Sequence, residues 1–256
     1  MPAISAGDLD VAFLAEGAGR PLVLVHGNWA TSSWWEPVLA RLGPGWRGIA
    51  YDMRGRGRTR GPDTDYSIPS LAEDLRAFAD ALGLDRFDVV GHSLGSCVAM
   101  QFALAHADRL RSLTVVSPGW IDGMPQAYAV PERQTQLKDD RVFFGQAMRA
   151  IIPGAPEGDF WERLLREGRG QRLAAAVALL PALTAWAPGD DVGRITVSPR
   201  VVISGELDVF TGGPNAVRVA KALGCQLVTM PNVGHGPMIE APDEFARILW
   251  ERLPPP

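Results

Sequence analysis

The sequence predicts an α/β fold in which a mostly parallel central sheet carries helices on both faces. Short apolar runs typical of buried strands alternate along the chain with segments of helical periodicity. Consecutive parallel strands need a crossover connection, which is usually a helix, so this alternation indicates a parallel sheet. The chain has 256 residues, of which 46% are hydrophobic, and it is therefore long enough to bury a large core.

Seven runs are predicted to be strands because they are short and largely apolar. These runs are residues 9–15, 21–26, 46–51, 87–91, 110–117, 200–204 and 226–230. Segments with helical spacing lie between them, and the clearest are residues 70–82, 93–106, 214–223 and 242–253. The first of these helices has Ser70 as its candidate N-cap, followed by Glu73 three residues later and by Gly83 at its end.

The alternation of strands and helices is interrupted once, between Pro118 and Thr196, where no strand-like run occurs. Apolar residues recur there with helical spacing at 143–152 and again at 160–165. We therefore predict an α/β core made of residues 1–117 and 197–256. Residues 118–196 are predicted to form a helical cap that covers the carboxyl edge of the sheet.

Charge and composition exclude several classes of function. The 25 basic and 29 acidic residues give a formal charge of -4, and no block of like charge is long enough to follow a phosphate backbone. No apolar stretch approaches the roughly 20 residues of a membrane span, and the N-terminus has no signal-peptide pattern. We expect a cytoplasmic protein with a small-molecule substrate and neither nucleic-acid nor membrane partners. A homo-oligomer stays open.

The spacing of cysteines and histidines does not indicate a metal site. Cys97 and Cys225 lie far apart, and the four histidines show no ligand spacing with them. We therefore expect both thiols to be reduced and structural, and we expect the protein to work without a cofactor or metal.

A candidate nucleophile lies in Gly91-His92-Ser93-Leu94-Gly95, which fits the pattern G-x-S-x-G. The pattern alone is weak, but here it follows the apolar residues 87–90 and opens the helix 93–106. In such a strand-turn-helix the serine has a strained backbone, and glycines are needed where strand and helix pass closely. The helix start directs free N–H groups at a developing oxyanion. The alternative is an ordinary tight turn.

A serine hydroxyl is a poor nucleophile unless a base takes its proton, so a histidine and an orienting carboxylate are required. His235 lies in a glycine-rich loop, 232–237, after the last predicted strand. Asp208 follows the predicted strand 200–204. Serine, aspartate and histidine therefore occur in the chain order expected for a hydrolase of this architecture. Glu206 is the nearest competitor for the carboxylate role, and Asp122 is a more distant one.

Other polar residues near these motifs are expected to have structural roles. We expect His26 to hold a loop in place by hydrogen bonds, and we expect the side chain of His92 to point away from Ser93. The glycine-rich segment 55–61 imitates a dinucleotide fingerprint, but no helix opens directly after it. Its arginines are predicted to lie in a solvated turn.

Together these motifs resemble the α/β-hydrolase superfamily. They are His26-Gly27, Asp52-Met53-Arg54-Gly55-Arg56-Gly57, the G-x-S-x-G pattern, Asp208 and Gly234-His235. The resemblance covers nearly all of the chain outside the predicted cap, and it implies the α/β-hydrolase fold. It also implies a catalytic triad of Ser93, Asp208 and His235, with the backbone N–H groups of Asn28 and Leu94 as the oxyanion hole.

The aromatic residues of the predicted cap suggest an apolar or aromatic substrate. We expect Trp120, Phe144 and Trp186 to line the pocket together with Trp29, although packing of cap against core would explain these residues equally well. The predicted activity is hydrolysis of a carboxylic ester or lactone through an acyl-enzyme on Ser93. A carbon-carbon bond hydrolase, a thioesterase or an amidase would use the same triad. A lyase with His235 as base and a ligand sensor also stay open.

Overall fold

An eight-stranded sheet lies at the centre of the computed structural model, which describes residues 1–256. The strands are β1 (Ala3–Ala6), β2 (Leu9–Gly17), β3 (Arg20–Val25), β4 (Trp46–Tyr51), β5 (Phe87–His92), β6 (Leu110–Val116), β7 (Arg200–Gly205) and β8 (Gln226–Met230). Their order in the sheet is β1-β2-β4-β3-β5-β6-β7-β8. Strands β3 to β8 pair in parallel, whereas β1 and β2 pair antiparallel. The predicted mostly parallel sheet is confirmed, and all seven predicted strands are present.

Strand β1, which forms one edge of the sheet, was not predicted. This strand has only four residues, and Ala6 is the only one that is fully buried. It therefore lacks the apolar run by which the other strands were identified. Its pairing with β2, in which Ile4 lies opposite Val11, is a tertiary contact that local sequence does not encode.

Helices cover both faces of the sheet, as predicted. The α-helices are α1 (Glu36–Leu39), α2 (Ile68–Ala81), α3 (Leu94–Ala105), α4 (Pro131–Asp139), α5 (Arg141–Ile151), α6 (Asp159–Arg169), α7 (Leu173–Ala185), α8 (Pro214–Leu223), α9 (Pro237–Glu240) and α10 (Pro242–Arg252). Alternate residues of β3 belong to different cores because successive side chains of a strand point to opposite faces. Val23 and Val25 pack in the core that includes α2, α3 and α8. Leu22 and Leu24 pack in the core that includes α10.

Helix α2 begins earlier than predicted. Its N-cap is Ser67, whose hydroxyl accepts a hydrogen bond from the backbone N–H of Ser70 at 3.3 Å. Pro69 occupies the first turn, where its missing N–H costs no helical hydrogen bond. The prediction that Ser70 caps this helix was therefore wrong, whereas its end at Gly83 is correct within a residue.

Residues 118–196 contain α4 to α7 and no strand. Helices α5 and α6 carry the two apolar stripes seen in the sequence, and they bury Phe144 and Met148, and Trp161 and Leu164, respectively. The sequences of helices α4 and α7 show no helical spacing of apolar residues. Helix α4 is polar on nearly every side, and α7 is apolar on nearly every side, so neither shows a stripe.

The sheet topology gathers several loops at one edge. Successive crossovers run in opposite directions from β3, because β4 lies on one side of β3 and β5 on the other. Ligands of open α/β sheets bind at the carboxyl ends of the strands beside such a reversal. The loops that follow β3, β5, β7 and β8 all leave from this edge, and they carry Asn28, Ser93, Asp208 and His235.

Candidate active site

Ser93 lies at the sharp turn between β5 and α3. Its φ of 52° and ψ of -116° are rare for a residue with a side chain. The turn is held by a 3.0 Å hydrogen bond from the Ser93 N–H to the carbonyl of Val116. A Cβ on Gly91 would clash with the carbonyl of Gly95, and a Cβ on Gly95 would clash with that of Val25. Both glycines are therefore required by close backbone packing.

Asp208 and His235 form a buried pair. The Nδ1 of His235 lies 2.9 Å from Oδ2 of Asp208, and the Asp208 side chain is fully buried. The other carboxylate oxygen accepts hydrogen bonds from the backbone N–H groups of Phe210 at 3.0 Å and Thr211 at 2.9 Å. Because Nδ1 donates its proton to the carboxylate, Nε2 of His235 is left with a lone pair that can accept a proton.

The environment keeps Asp208 ionised. Burial raises the pKa of this carboxyl, but the positive charge that His235 can carry and the hydrogen bonds from His235, Thr211 and Phe210 lower it by more. The resulting pKa of Asp208 lies well below its usual range. A permanent negative charge therefore faces the imidazole.

Neither competing carboxylate contacts His235. Glu206 is exposed and accepts a hydrogen bond from the backbone N–H of Asn232 at 3.1 Å. Asp122 is exposed and pairs with Arg218 at 2.9 Å. Among the three candidates, only Asp208 lies against the imidazole.

A cavity of about 280 Å³ lies above Ser93 and His235, and both residues line it. Five other residues expected in the site also line the cavity: Asn28, Leu94, Trp29, Trp120 and Phe144. Most of the remaining lining is apolar and comes from residues 118–196. The structure therefore brings the nucleophile candidate, the imidazole and the expected oxyanion loop to one cavity.

Trp186 was expected in the pocket but does not line it. Its indole Nε1 donates to the side-chain oxygen of Gln101 on α3 at 2.9 Å, and its ring is buried in a core cluster. Its role is thus to pack the end of α7 against the core. Phe210 lines the cavity but was not predicted, and its ring contacts that of His235 edge-to-face with centroids 5.4 Å apart. Its place two residues after Asp208 was the available signal.

Two backbone N–H groups are available near the nucleophile. Leu94 is the first residue of α3, so its N–H has no acceptor within the helix. The N–H of Asn28 makes no hydrogen bond to another protein group. The loop that holds Asn28 continues into Trp29, whose φ of 55° is again rare for a side-chain-bearing residue. The geometry permits both N–H groups to serve an oxyanion.

His26 holds this loop, as expected. Its Nε2 accepts the backbone N–H of Met53 at 3.1 Å, and its Nδ1 lies 2.7 Å from the carbonyl of Gly27. Burial lowers the pKa of His26 to about 3, so the ring is neutral. One nitrogen can then donate while the other accepts, which matches the two observed partners.

His92 also lines the cavity, and its ring is directed at the backbone of His235. Its Nε2 donates to the carbonyl of His235 at 2.8 Å, and its ring stacks on Trp34. Burial lowers the pKa of His92 to about 3. A neutral His92 therefore supports the loop that carries the catalytic imidazole candidate.

Arg56 does not lie in a solvated turn, although Arg58 and Arg60 of the same loop are exposed as predicted. Arg56 is only 1% exposed, and it donates to the carbonyl of Arg54 at 2.9 Å and to Oδ1 of Asn28 at 3.2 Å. No carboxylate lies within 4.0 Å of it, and burial lowers the pKa of Arg56 to about 10. An unpaired buried cation therefore lies directly behind the oxyanion loop.

No group of three or more histidine, cysteine, aspartate or glutamate side chains is arranged to hold a metal ion. None of the helices has both the length and the apolar character needed to cross a membrane.

Comparison with known proteins gives a family and several relatives. The model of the alpha/beta hydrolase family matches residues 22–248. A protein from Rhizobium rhizogenes that is named as a carbamate hydrolase, RutD, is 27% identical over 248 residues, which cover 91% of this chain and 94% of that protein. A RutD protein from Azorhizobium caulinodans is 36% identical over 120 residues, but this match covers 47% of the chain and only 45% of the relative.

A solved structure has the same overall fold. It is described as Est816, an N-acyl homoserine lactone degrading enzyme, and it superposes with a TM-score of 0.79 at 26% identity. The superposition covers 98% of this chain and 100% of that chain. With the family match over most of its length, this chain belongs to the alpha/beta hydrolase family.

Proposed function

We propose that the protein is a serine hydrolase that cleaves a carboxylic ester or lactone of an apolar small molecule. The observation that carries this proposal is the strained Ser93, which shares one cavity with an imidazole whose Nδ1 is bound to the buried carboxylate of Asp208. A hydroxyl at such a turn, a neutral imidazole and a fixed carboxylate are the parts that acyl transfer through a covalent intermediate requires.

In this mechanism, Ser93 Oγ attacks the carbonyl carbon while Nε2 of His235 takes the hydroxyl proton. Asp208 holds the imidazole in the tautomer that leaves Nε2 free, and it stabilises the imidazolium that forms. The tetrahedral oxyanion would accept hydrogen bonds from the N–H groups of Asn28 and Leu94. Each such donor contributes roughly 3 kcal/mol of transition-state stabilisation. His235 then protonates the leaving alcohol. Water attacks the acyl-enzyme while Nε2 of His235 takes its proton, and His235 returns that proton to Ser93 Oγ as the acid is released.

We propose that residues 118–196 act as a cap that shapes the substrate site. The cavity lining contains 16 hydrophobic residues among 23, and many of them come from α4, α5 and α7. An apolar lining with few polar groups favours an aliphatic or aromatic acyl or alcohol group, which would fill about 280 Å³ together with the reacting ester.

The experiment that tests the mechanism combines covalent labelling with kinetics. A fluorophosphonate probe should label the wild-type protein once, at Ser93, as measured by intact mass and peptide mapping. We expect Ser93→Ala to abolish labelling and to lower kcat for a p-nitrophenyl ester by at least about 1000-fold.

Ser204→Ala is the matched control, because Ser204 is buried in β7, its hydroxyl has no partner and it does not line the cavity. It should keep both labelling and turnover. Near-normal turnover by folded Ser93→Ala would rule out the acyl-enzyme.

A carbamate or amide is the second candidate for the bond that is cleaved. A carbamate is favoured by the relative from Rhizobium rhizogenes, which matches across 91% of this chain and is named as a carbamate hydrolase. A panel of p-nitrophenyl esters, lactones and carbamates of graded size would separate the two candidates. We expect kcat/KM for an ester or lactone to exceed that for the carbamate of the same size.

A further inference from the structure

The cavity carries a single permanent charge. Among its lining residues, Arg133 is the only lysine, arginine, aspartate or glutamate, and the two other titratable side chains with a possible positive charge are His92 and His235. His92 is neutral because burial lowers its pKa to about 3. No negative charge of the lining therefore opposes Arg133.

Arg133 is the most exposed residue of the cavity lining. It belongs to the first turn of α4, and it is the only lining residue that is exposed, whereas the others are buried or half-buried. Its guanidinium makes no hydrogen bond and no ion pair with another protein group. All five of its N–H donors are therefore without an acceptor in the protein.

Gln134, the next residue of α4, adds a second donor to the cavity lining. This residue is only 6% exposed, and its Oε1 accepts a hydrogen bond from the indole Nε1 of Trp29 at 3.1 Å. That bond uses the acceptor of the amide and fixes its orientation. The Nε2 group has two N–H donors without an acceptor in the protein, and Gln134 lines the cavity. Because this Nε2 group is not fully enclosed by protein, a ligand or water in the cavity can accept its hydrogen bonds.

We propose that Arg133 and Gln134 form an anion subsite that binds a carboxylate of the substrate while its ester or lactone carbonyl lies at Ser93. The guanidinium fork matches the two oxygens of a carboxylate, and the Gln134 amide supplies a further hydrogen bond. The apolar lining between the two ends accommodates the connecting carbon chain. This inference rests on the proposed hydrolase function, and it narrows the substrate to an ester that carries a negative charge.

The test compares charged and neutral substrates of matched shape. The charged series consists of mono-p-nitrophenyl esters of linear dicarboxylic acids of graded length, and each has its methyl ester as the neutral partner. At the chain length that gives the highest kcat/KM, we expect kcat/KM for the acid to exceed that for the methyl ester by about tenfold. The difference should lie mainly in KM, because a charge-assisted hydrogen bond from Arg133 to the substrate carboxylate strengthens binding of the substrate even at a partly exposed site.

Substitutions assign the preference to Arg133. We expect Arg133→Gln to bring the ratio of kcat/KM for the acid to kcat/KM for the methyl ester close to one, whereas Arg133→Lys should retain part of the preference for the acid. Arg166→Gln is the control for the loss of charge, since Arg166 is exposed on α6, has no side-chain partner and does not line the cavity. It should keep the full preference.

The outcomes separate the two proposals. If the wild type hydrolyses the neutral esters in a Ser93-dependent way but shows no preference for the acids, the anion subsite is wrong and the hydrolase stands. An equal loss of preference in Arg133→Gln and Arg166→Gln would also overturn the subsite. If no ester is hydrolysed through Ser93, the proposed function itself fails.

Discussion

Backbone strain is concentrated at individual residues around the site. Four residues other than glycine have positive φ: Trp29, Ser93, Ser117 and Asn232. Each of them follows the carboxyl end of a parallel strand, namely β3, β5, β6 or β8. Such conformations cost on the order of 1–3 kcal/mol each and persist only where surrounding structure holds them. Their location on one edge of the sheet agrees with a functional site there.

Substitution of Asp208 tests the proposed triad most directly. In Asp208→Asn, the side-chain amide can donate to Nδ1 of His235, which would place the imidazole proton on Nε2 and remove the base. We expect kcat for a p-nitrophenyl ester to fall by at least about 1000-fold with a small change in KM. Glu206→Gln serves as the control because this exposed carboxylate does not contact His235. A similar loss in both variants would contradict the assignment.

At the scale of elements, the helical insertion is hydrogen-bonded to the loops of the site. The Oε1 of Gln171, between α6 and α7, accepts the backbone N–H of Trp29 at 3.3 Å. Glu167 of α6 accepts the hydroxyl of Thr31 at 3.0 Å. The carbonyl of Ile151, at the end of α5, accepts the backbone N–H of His235 at 2.7 Å. The insertion therefore supports the loops on which the proposed chemistry depends, besides lining the cavity.

This support predicts an effect of Gln171 on turnover. In Gln171→Ala, the N–H of Trp29 loses its acceptor, and the neighbouring N–H of Asn28 is held less firmly for the oxyanion. Complete loss of one oxyanion donor lowers kcat by about 100- to 1000-fold. Because the donor is only weakened here, we expect kcat to fall by about tenfold with little change in KM. Gln136→Ala, at an exposed position on α4, should have no effect. Unchanged kcat in folded Gln171→Ala would contradict this role.

At the scale of the whole molecule, two buried neutral histidines link stability to pH. Burial lowers the pKa of both His26 and His92 from 6.5 to about 3. Between these pH values the unfolded chain binds protons that the folded protein does not, so the folded state loses stability as the pH falls. The effect is absent above the unfolded pKa, where both states leave the rings neutral.

We therefore expect the free energy of unfolding to decrease from pH 7 to pH 4, with a contribution on the order of 1 kcal/mol per pH unit from each of the two histidines. Denaturant titrations at several pH values measure this slope. His92→Asn should reduce the slope, whatever its effect on stability at pH 7. His106→Asn is the control, since His106 follows α3, is partly exposed and is hydrogen-bonded to Glu73. An unchanged slope in His92→Asn would contradict the linkage.

Local sequence was sufficient for seven of the eight strands, for the fold class and for the candidates Ser93, Asp208 and His235. Strand runs, the glycines at 91 and 95 and the order of the three residues are patterns that short segments carry by themselves. Helices α4 and α7 and strand β1 were missed because a helix without an apolar stripe, or a short edge strand, has no such pattern.

Only the tertiary structure decided which side chains face the cavity. Trp186 is aromatic like Trp120, yet it packs against Gln101, and Arg56 looks like a loop arginine but is buried behind Asn28. The free donors of Arg133 and Gln134 are likewise visible only once α4 lies over the sheet edge. The physical reason is that periodicity and turn chemistry act between neighbours in sequence. Burial and hydrogen-bond partnership depend instead on segments that the fold brings together from distant parts of the chain.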